Sequence, residues 1–211
     1  MKIGIYGGSF DPIHRGHIDP ILEAREAVGL EKVIYLPTAR PPHKQDRLLA
    51  TAEARFTMVE MALLDYPELE VCNHEMERSG PAYTVETLEH FARQYPSDRC
   101  HLLIGADSFI QLHRWRRYRE IPKLAQLVVM MRPGWDLEAS NPSLEIRRLL
   151  ESVQVIFVEN QEVPASSTEI RRRLGAMEAL PAHWVSESVL KYIEKYGLYR
   201  PIPGRASEEM S

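Results

Sequence analysis

The sequence predicts an α/β fold: a doubly wound, mainly parallel sheet in a single domain, with a small helical part at the C-terminal end. Three observations predict it. Short apolar runs alternate along the chain with longer segments of helical spacing. The first run ends in Gly7-Gly8, a tight turn, and helical period returns after it. The 211 residues are 44% apolar and 27% charged, ordinary usage for a chain that buries its own core.

The elements follow in order. Lys2 to Tyr6 reads as a buried strand, and Ile18, Ile21 and Leu22 carry helical spacing through Val28 to a stop at Gly29. Lys32 to Leu36 is a second strand, broken by Pro37, which completes the strand-helix-strand unit of a parallel sheet. Phe56, Val59 and Leu63 mark a helix, Leu69 to Cys72 a short strand, and Val85, Leu88, Phe91 and Tyr95 another helix. His101 to Gly105, Gln126 to Met131 and Val153 to Val158 read as strands. Val185, Val189, Tyr192, Ile193 and Tyr196 make a final amphipathic helix. The domain runs over 1–200, and Pro201 to Ser211 is a polar tail expected to fray. Pro37 to Leu48 is Pro-rich, without periodicity and too long for a mere connection, which points to a functional loop.

Composition excludes several functions. Lysine and arginine number 26 against 30 aspartates and glutamates, a net charge of −4, so sequence-blind nucleic-acid binding is not expected and any bound anion needs a local cluster. Cys72 and Cys100 are too few for a disulfide scaffold and are expected to stay reduced. No apolar run approaches the ~18–20 residues of a membrane span. Met1 to Gly8 lacks the apolar stretch of a secretion signal. A cytoplasmic protein with no membrane partner is the expectation, and the sequence leaves a homo-oligomer open.

Ligands of open parallel sheets sit beyond the carboxyl ends of the strands. The segment after the first strand reads Gly7-Gly8-Ser9-Phe10-Asp11-Pro12-Ile13-His14-Arg15-Gly16-His17. The glycines let backbone amides approach an anion, Ser9 offers a hydroxyl, and His14 and His17 share one face of a helix start. A helix N-terminus already favours negative charge, and a phosphate beside the imidazoles favours their protonated form. The array suits a nucleoside triphosphate. It does not spell G-x-G-x-x-G, and the chain holds no G-x-x-x-x-G-K-[ST] loop. Surface histidines behind a glycine turn, or a two-histidine metal site, are the alternatives. Zinc ordinarily takes three or four protein ligands, and no H-E-x-x-H is present.

The same segment closely resembles the signature of the nucleotidyltransferase superfamily, whose H-x-G-H is akin to the HIGH motif of class I aminoacyl-tRNA synthetases. Pro37-Thr38-Ala39-Arg40-Pro41-Pro42-His43-Lys44 resembles the P-x-x-x-P-P-H-K loop of bacterial nicotinate-nucleotide adenylyltransferases. Tyr83-Thr84-Val85-Glu86-Thr87-Leu88, then Gly105-Ala106-Asp107 with Trp115 and Glu120-Ile121, and Ser166 to Arg171 resemble that family's later motifs, in the same order. The resemblance covers about residues 2–199. Ala165, Tyr6 and Ala82 depart from its usual isoleucine, phenylalanine and serine, and none of the three removes a group that carries chemistry.

The resemblance implies a Rossmann-like sheet. It also implies adenylyl transfer from ATP to nicotinate mononucleotide, with Mg²⁺ bound mainly through the ATP phosphates rather than by protein ligands. His14, His17, Lys44 and Arg171 would be the catalytic groups around the leaving phosphates. Gly7, Gly8, Ser9, Gly105, Asp107, Arg132, Ser167 and Thr168 would complete the ATP site. Lys44, Tyr83, Thr84, Trp115 and Arg116 would hold the mononucleotide, with the Trp115 ring on the pyridine. Three competitors remain: another adenylyltransferase of the superfamily such as the pantetheine-phosphate enzyme, an RNA-binding regulator using Arg114, Arg116, Arg117 and Arg119, and a metal binder using His14 and His17.

Overall fold

Runs rich in Val, Ile and Leu that carry almost no polar residue can only settle where both faces of a sheet are covered. In the computed structural model, which describes residues 1–38, 50–77 and 80–200, six of them do so. They are β1 (Lys2–Gly8), β2 (Lys32–Pro37), β3 (Leu69–Val71), β4 (Arg99–Gly105), β5 (Gln126–Met131) and β6 (Val155–Glu159). Every pairing is parallel, in the order β3-β2-β1-β4-β5-β6.

Between and after the strands lie α1 (Arg15–Val28), α2 (Ala52–Leu63), α3 (Thr84–Gln94), α4 (Ala106–Phe109), α5 (Ile121–Leu124), α6 (Leu144–Ser152), α7 (Ser167–Gly175) and α8 (Glu187–Tyr196). Alternation along the strands sends side chains to two separate layers. Val33, Tyr35, Leu103 and Val128 pack with Ile21 of α1, Met58 of α2, Ile170 of α7 and Val189 of α8. Ile5, Ile34, Leu102 and Ile104 pack with Leu88 and Phe91 of α3, Ile121 of α5 and Ile146 of α6.

The sequence reading holds for element type and needs four corrections in detail. Helix α1 begins at Arg15, ahead of its first buried apolar residue Ile18, and carries Pro20 inside it. Val185 is buried but precedes α8 rather than opening it. Helix α6 was not anticipated, because only Ile146 and Leu149 reach the core from an otherwise charged stretch; Ser143, which caps it, was the available signal. The arginine-rich stretch around Trp115 is no helix face. It is two 3₁₀ turns, Leu112–Arg114 and Tyr118–Glu120, joined through Arg117 at φ 51. Cys72 and Cys100 are free thiols. No helix among the described residues is long and apolar enough to cross a membrane. The tail 201–211 lies outside the described residues.

Strand order decides where a ligand can enter. The chain leaves β1 toward β2 on one side, while β4 lies on the other side of β1, paired through Ile5 and Leu102. The connections after β1 and β4 therefore part at the carboxyl edge and open a crevice there.

Leu103 sits at the centre of β4 and is 1% exposed. Leu103→Ala is expected to destabilise the fold by about 2–5 kcal/mol in urea unfolding. A loss below about 1 kcal/mol would show that this layer is not closely packed.

Candidate active site

The turn after β1 is a backbone problem before it is a binding site. Residues 9–13 run through the interior: Phe10, Asp11 and Ile13 are almost completely buried, and their peptide groups need partners. Side chains from remote helices supply them. The Arg55 guanidinium of α2 donates to the Ser9 carbonyl (2.7 Å). Arg171 of α7 donates to the Asp11 carbonyl (2.5 Å), and the Ser167 hydroxyl donates to the Pro12 carbonyl (3.0 Å). Three nearby carbonyls are thus paired with side chains of α2 and α7.

The Phe10 backbone is held at φ 46, a left-handed conformation that costs strain in a non-glycine residue. Its fully buried ring offsets that cost, packed edge-on against Tyr6 and the His17 ring. A Cβ on Gly8 would meet the Phe10 ring at 2.8 Å, so the second glycine of the motif makes room for the ring.

His14 is the N-cap residue of α1, and His17 lies in its first turn. Their ring centroids are 3.9 Å apart. The Tyr35 hydroxyl donates to the His17 carbonyl (2.9 Å), fixing that turn on the sheet. A Cβ on Gly16 would lie 2.9 Å from the His14 ring and 3.0 Å from the Ala165 carbonyl oxygen. Only glycine lets the helix start sit this close to the segment before α7.

The α1 N-terminus makes no side-chain capping bond and has no acidic residue in its first turn. Helices α2, α6, α7 and α8 are each capped by a serine or threonine hydroxyl and carry a glutamate in the first turn. The Arg15 N–H is taken by the Trp184 carbonyl (2.9 Å), but no side chain or acid offsets the positive end of the α1 dipole, which favours an anion. Burial pushes His14 down to about 4, so its ring is neutral near pH 7. Nδ1 of His14 is enclosed without a hydrogen-bond partner among the described residues.

The other residues expected at the site lie on several elements. Gly7 is open, with nothing within 4 Å of a Cβ placed on it. Ser166 caps α7, so Ser167 is its first helical residue, and exposed Thr168 lies 3.5 Å from Arg171. Gly105 ends β4, and exposed Asp107 stands in the first turn of α4. Arg132 follows β5 at the surface. On the far side of the crevice, Thr84 opens α3 after the N-cap Tyr83, and the Arg116 guanidinium lies 4.6 Å over the Tyr83 ring. Trp115 packs half-buried against the core beside them. Lys44 and the rest of its loop from residue 39 to 49 lie outside the described residues.

The basic stretch around Trp115 is partly neutralised. Arg117 pairs with Glu89 and Glu120, and Arg116 faces Glu86 at 3.8 Å. That weighs against a nucleic-acid surface.

The cytidylyltransferase-like family model matches residues 5–173. A protein of Thermus thermophilus named "Probable nicotinate-nucleotide adenylyltransferase" is 40% identical over 200 residues, covering 95% of this chain and 100% of that protein. The chain belongs to the nicotinate-nucleotide adenylyltransferases, within the cytidylyltransferase-like family. A namesake from Shewanella putrefaciens is 37% identical over 215 residues, covering 94% of this chain and 99% of its own. In fold, this adenylyltransferase-family chain matches the Plasmodium falciparum nicotinic acid mononucleotide adenylyltransferase complexed with NaAD. The TM-score is 0.70 at 18% identity, over 94% of this chain and 97% of that one.

Sequence reasoning gave no role to three residues that hold the turn after β1: Asp11, Arg55 and Tyr199. Asp11 stood inside the recognised motif and Tyr199 near its end, but neither position declares a partner. Arg55 could have been found: it shares a helix face with Met58, Val59 and Ala62, and an arginine on a buried face needs acceptors.

Two outcomes follow. Gly16→Ala is expected to cost about 1–3 kcal/mol of stability and to weaken ATP binding, read by thermal unfolding with and without ATP. Because His14 sits at about 4 in the folded chain against 6.5 when unfolded, the unfolded chain takes up the proton first. Its contribution is intact above pH 6.5 and is lost as pH falls toward 4, by up to about 3 kcal/mol. His14→Gln should remove that part of the slope in chemical denaturation between these two pH values.

Proposed function

We propose that the site described above carries out the reaction of its family: ATP plus nicotinate mononucleotide gives nicotinate adenine dinucleotide and pyrophosphate. The observation that carries this reading is the paired His14 and His17 rings at the uncapped start of α1, at the crevice where the strand order reverses.

The chemistry needs no general base. The acceptor is a phosphate monoester with a second pKa of about 6, so it is largely a dianion at pH 7. Its oxygen attacks the α-phosphorus of ATP in line. One P–O bond forms as the bond to the β-phosphate breaks, and pyrophosphate departs with the electron pair. The barrier is the approach of two anions and the charge on the leaving group, so catalysis is positioning plus charge stabilisation.

His14 and His17 meet the phosphates from α1, with Gly7, Gly8 and Ser9 beneath them. Arg171, Ser167 and Thr168 approach from α7. Lys44 adds a further cation from its loop. Gly105 and Asp107 take the adenosine, Asp107 through the ribose hydroxyls, and Arg132 closes the rim. Tyr83, Thr84, Trp115 and Arg116 receive the mononucleotide. The Trp115 ring lies on the pyridine, and Thr84 with nearby backbone N–H groups favours a carboxylate over an amide.

Mg²⁺ belongs to the substrate, bound to the ATP phosphates, where it neutralises their charge. Asp11 is the carboxylate nearest the turn: its Oδ1 accepts from Ala50 and Tyr199, and its buried Oδ2 has no hydrogen-bond partner among the described residues. The cytoplasm is where ATP and this acceptor would be met.

His17→Ala is expected to lower pyrophosphate release by about a hundredfold or more in an assay with ATP and nicotinate mononucleotide. A loss below about threefold contradicts the assignment. In the same assay nicotinamide mononucleotide should be the poorer acceptor, and equal rates on the two would remove the acid preference.

A further inference from the structure

One buried group joins four distant parts of the chain and has no place in the reaction above. Asp11 is 1% exposed. Its Oδ1 accepts the Tyr199 hydroxyl (2.8 Å) and the Ala50 backbone N–H (3.0 Å), and its Oδ2 faces the Arg171 guanidinium at 3.5 Å. Arg55, itself 1% exposed, lies beneath the same turn, with its guanidinium on the carbonyls of Ser9 and Ala50. Tyr199 is 188 residues from Asp11 in sequence, and its backbone is held at φ 65.

Of the two guanidiniums, that of Arg171 faces the carboxylate itself, at Oδ2; Arg55 meets backbone carbonyls. Tyr199 adds no charge, because burial and the neighbouring Asp11 carboxylate push its pKa far up and keep the hydroxyl protonated. Oδ2 is buried and has no hydrogen-bond partner among the described residues, so it would take a tight contact from Arg171 if the carboxylate were free to turn; the two neutral donors pin it through Oδ1 instead. With Tyr199 and Ala50 on Oδ1, Arg171 reaches Oδ2 only at 3.5 Å, well short of a tight charge-assisted contact of about 2.8 Å. The guanidinium is anchored through the Asp11 carbonyl instead, and much of its charge stays available to an anion.

We propose that Tyr199 is a positioning residue for the triphosphate: by pinning the Asp11 carboxylate through Oδ1, it keeps Oδ2 from closing on Arg171, so that Arg171 can meet the phosphates. This rests on Arg171 belonging to the ATP site, as the proposed function has it. Without the hydroxyl, Asp11 and the triphosphate compete directly for one guanidinium, and the last residues of the domain act on ATP affinity alone.

The test uses Tyr199→Phe, which deletes one oxygen and keeps the ring, with Tyr196→Phe as a control on exposed α8. Binding of a non-hydrolysable ATP analogue is read by calorimetry, and the KM for each substrate by pyrophosphate release. Tyr199→Phe should weaken analogue binding and raise the KM for ATP about tenfold, with the KM for the mononucleotide unmoved. Tyr196→Phe should change neither. In an Arg171→Met background, the Tyr199→Phe effect on analogue binding should shrink to less than about twofold. A merely structural tie predicts otherwise: a lower active fraction, both KM values unchanged, and the same loss in either background. Either that pattern or unchanged ATP affinity in Tyr199→Phe overturns the inference. Analogue binding by the unmodified chain without turnover on nicotinate mononucleotide would instead remove the acceptor assignment and leave the Tyr199 result to be read on its own.

Discussion

Everything at the active edge of this protein depends on how a buried turn satisfies its own peptide carbonyls. Residues 9–13 leave β1 and pass through the interior before α1 begins, where water cannot serve their polar groups. Arg55, Arg171 and Ser167 take three of those carbonyls from outside the turn. The arrangement does two things at once. It fixes the entry to α1, and it pairs the negative ends of the peptides with the guanidiniums of Arg55 and Arg171 and the Ser167 hydroxyl. The mouth of the turn, where His14 and His17 sit, is left electropositive.

Protein stability and ligand binding are set against each other here. A helix N-terminus without a cap or an acid gives up stabilisation that α2, α6, α7 and α8 all take from Thr51, Ser143, Ser166 and Ser186. A neutral, buried His14 with an enclosed Nδ1 and a left-handed Phe10 add to the cost. The close layers under the sheet offset it, with Phe10, Tyr6, Tyr35 and the His17 ring forming one aromatic block beneath the site. The opposite side of the crevice is built by other means. There a buried Glu75 accepts the Thr87 hydroxyl at 2.9 Å and ties α3 to the segment after β3, setting the start of the helix where Tyr83 and Thr84 stand.

The sequence shows how much of this is legible without coordinates. Strands betray themselves because both faces are buried, and the runs at Lys32 to Leu36 and Gln126 to Met131 needed little correction. Helix α6 escaped because two apolar residues in a charged stretch give almost no period. The Arg114 to Arg119 stretch suggested a basic helix face, yet Arg116 turns to Glu86 and Arg117 to Glu89 and Glu120, and the partners on α3 are ones that no local pattern reveals. The histidine pair and the glycines around it were readable because they lie within one local motif. Arg55 and Tyr199 were not, because each acts on the turn from 46 or 188 residues away.

By itself, then, the sequence determined the order and type of most elements, the two-sided burial of the sheet and the chemistry available after β1, since all of these follow from local periodicity and residue type. Tertiary structure alone decided which guanidiniums lie beneath the turn, that Asp11 is shared among Ala50, Arg171 and Tyr199, and that His14 is buried and neutral. The reason is physical: a strand or helix is selected by neighbours along the chain, whereas charge, burial and hydrogen bonding at a point are set by whatever the packed layers bring to it.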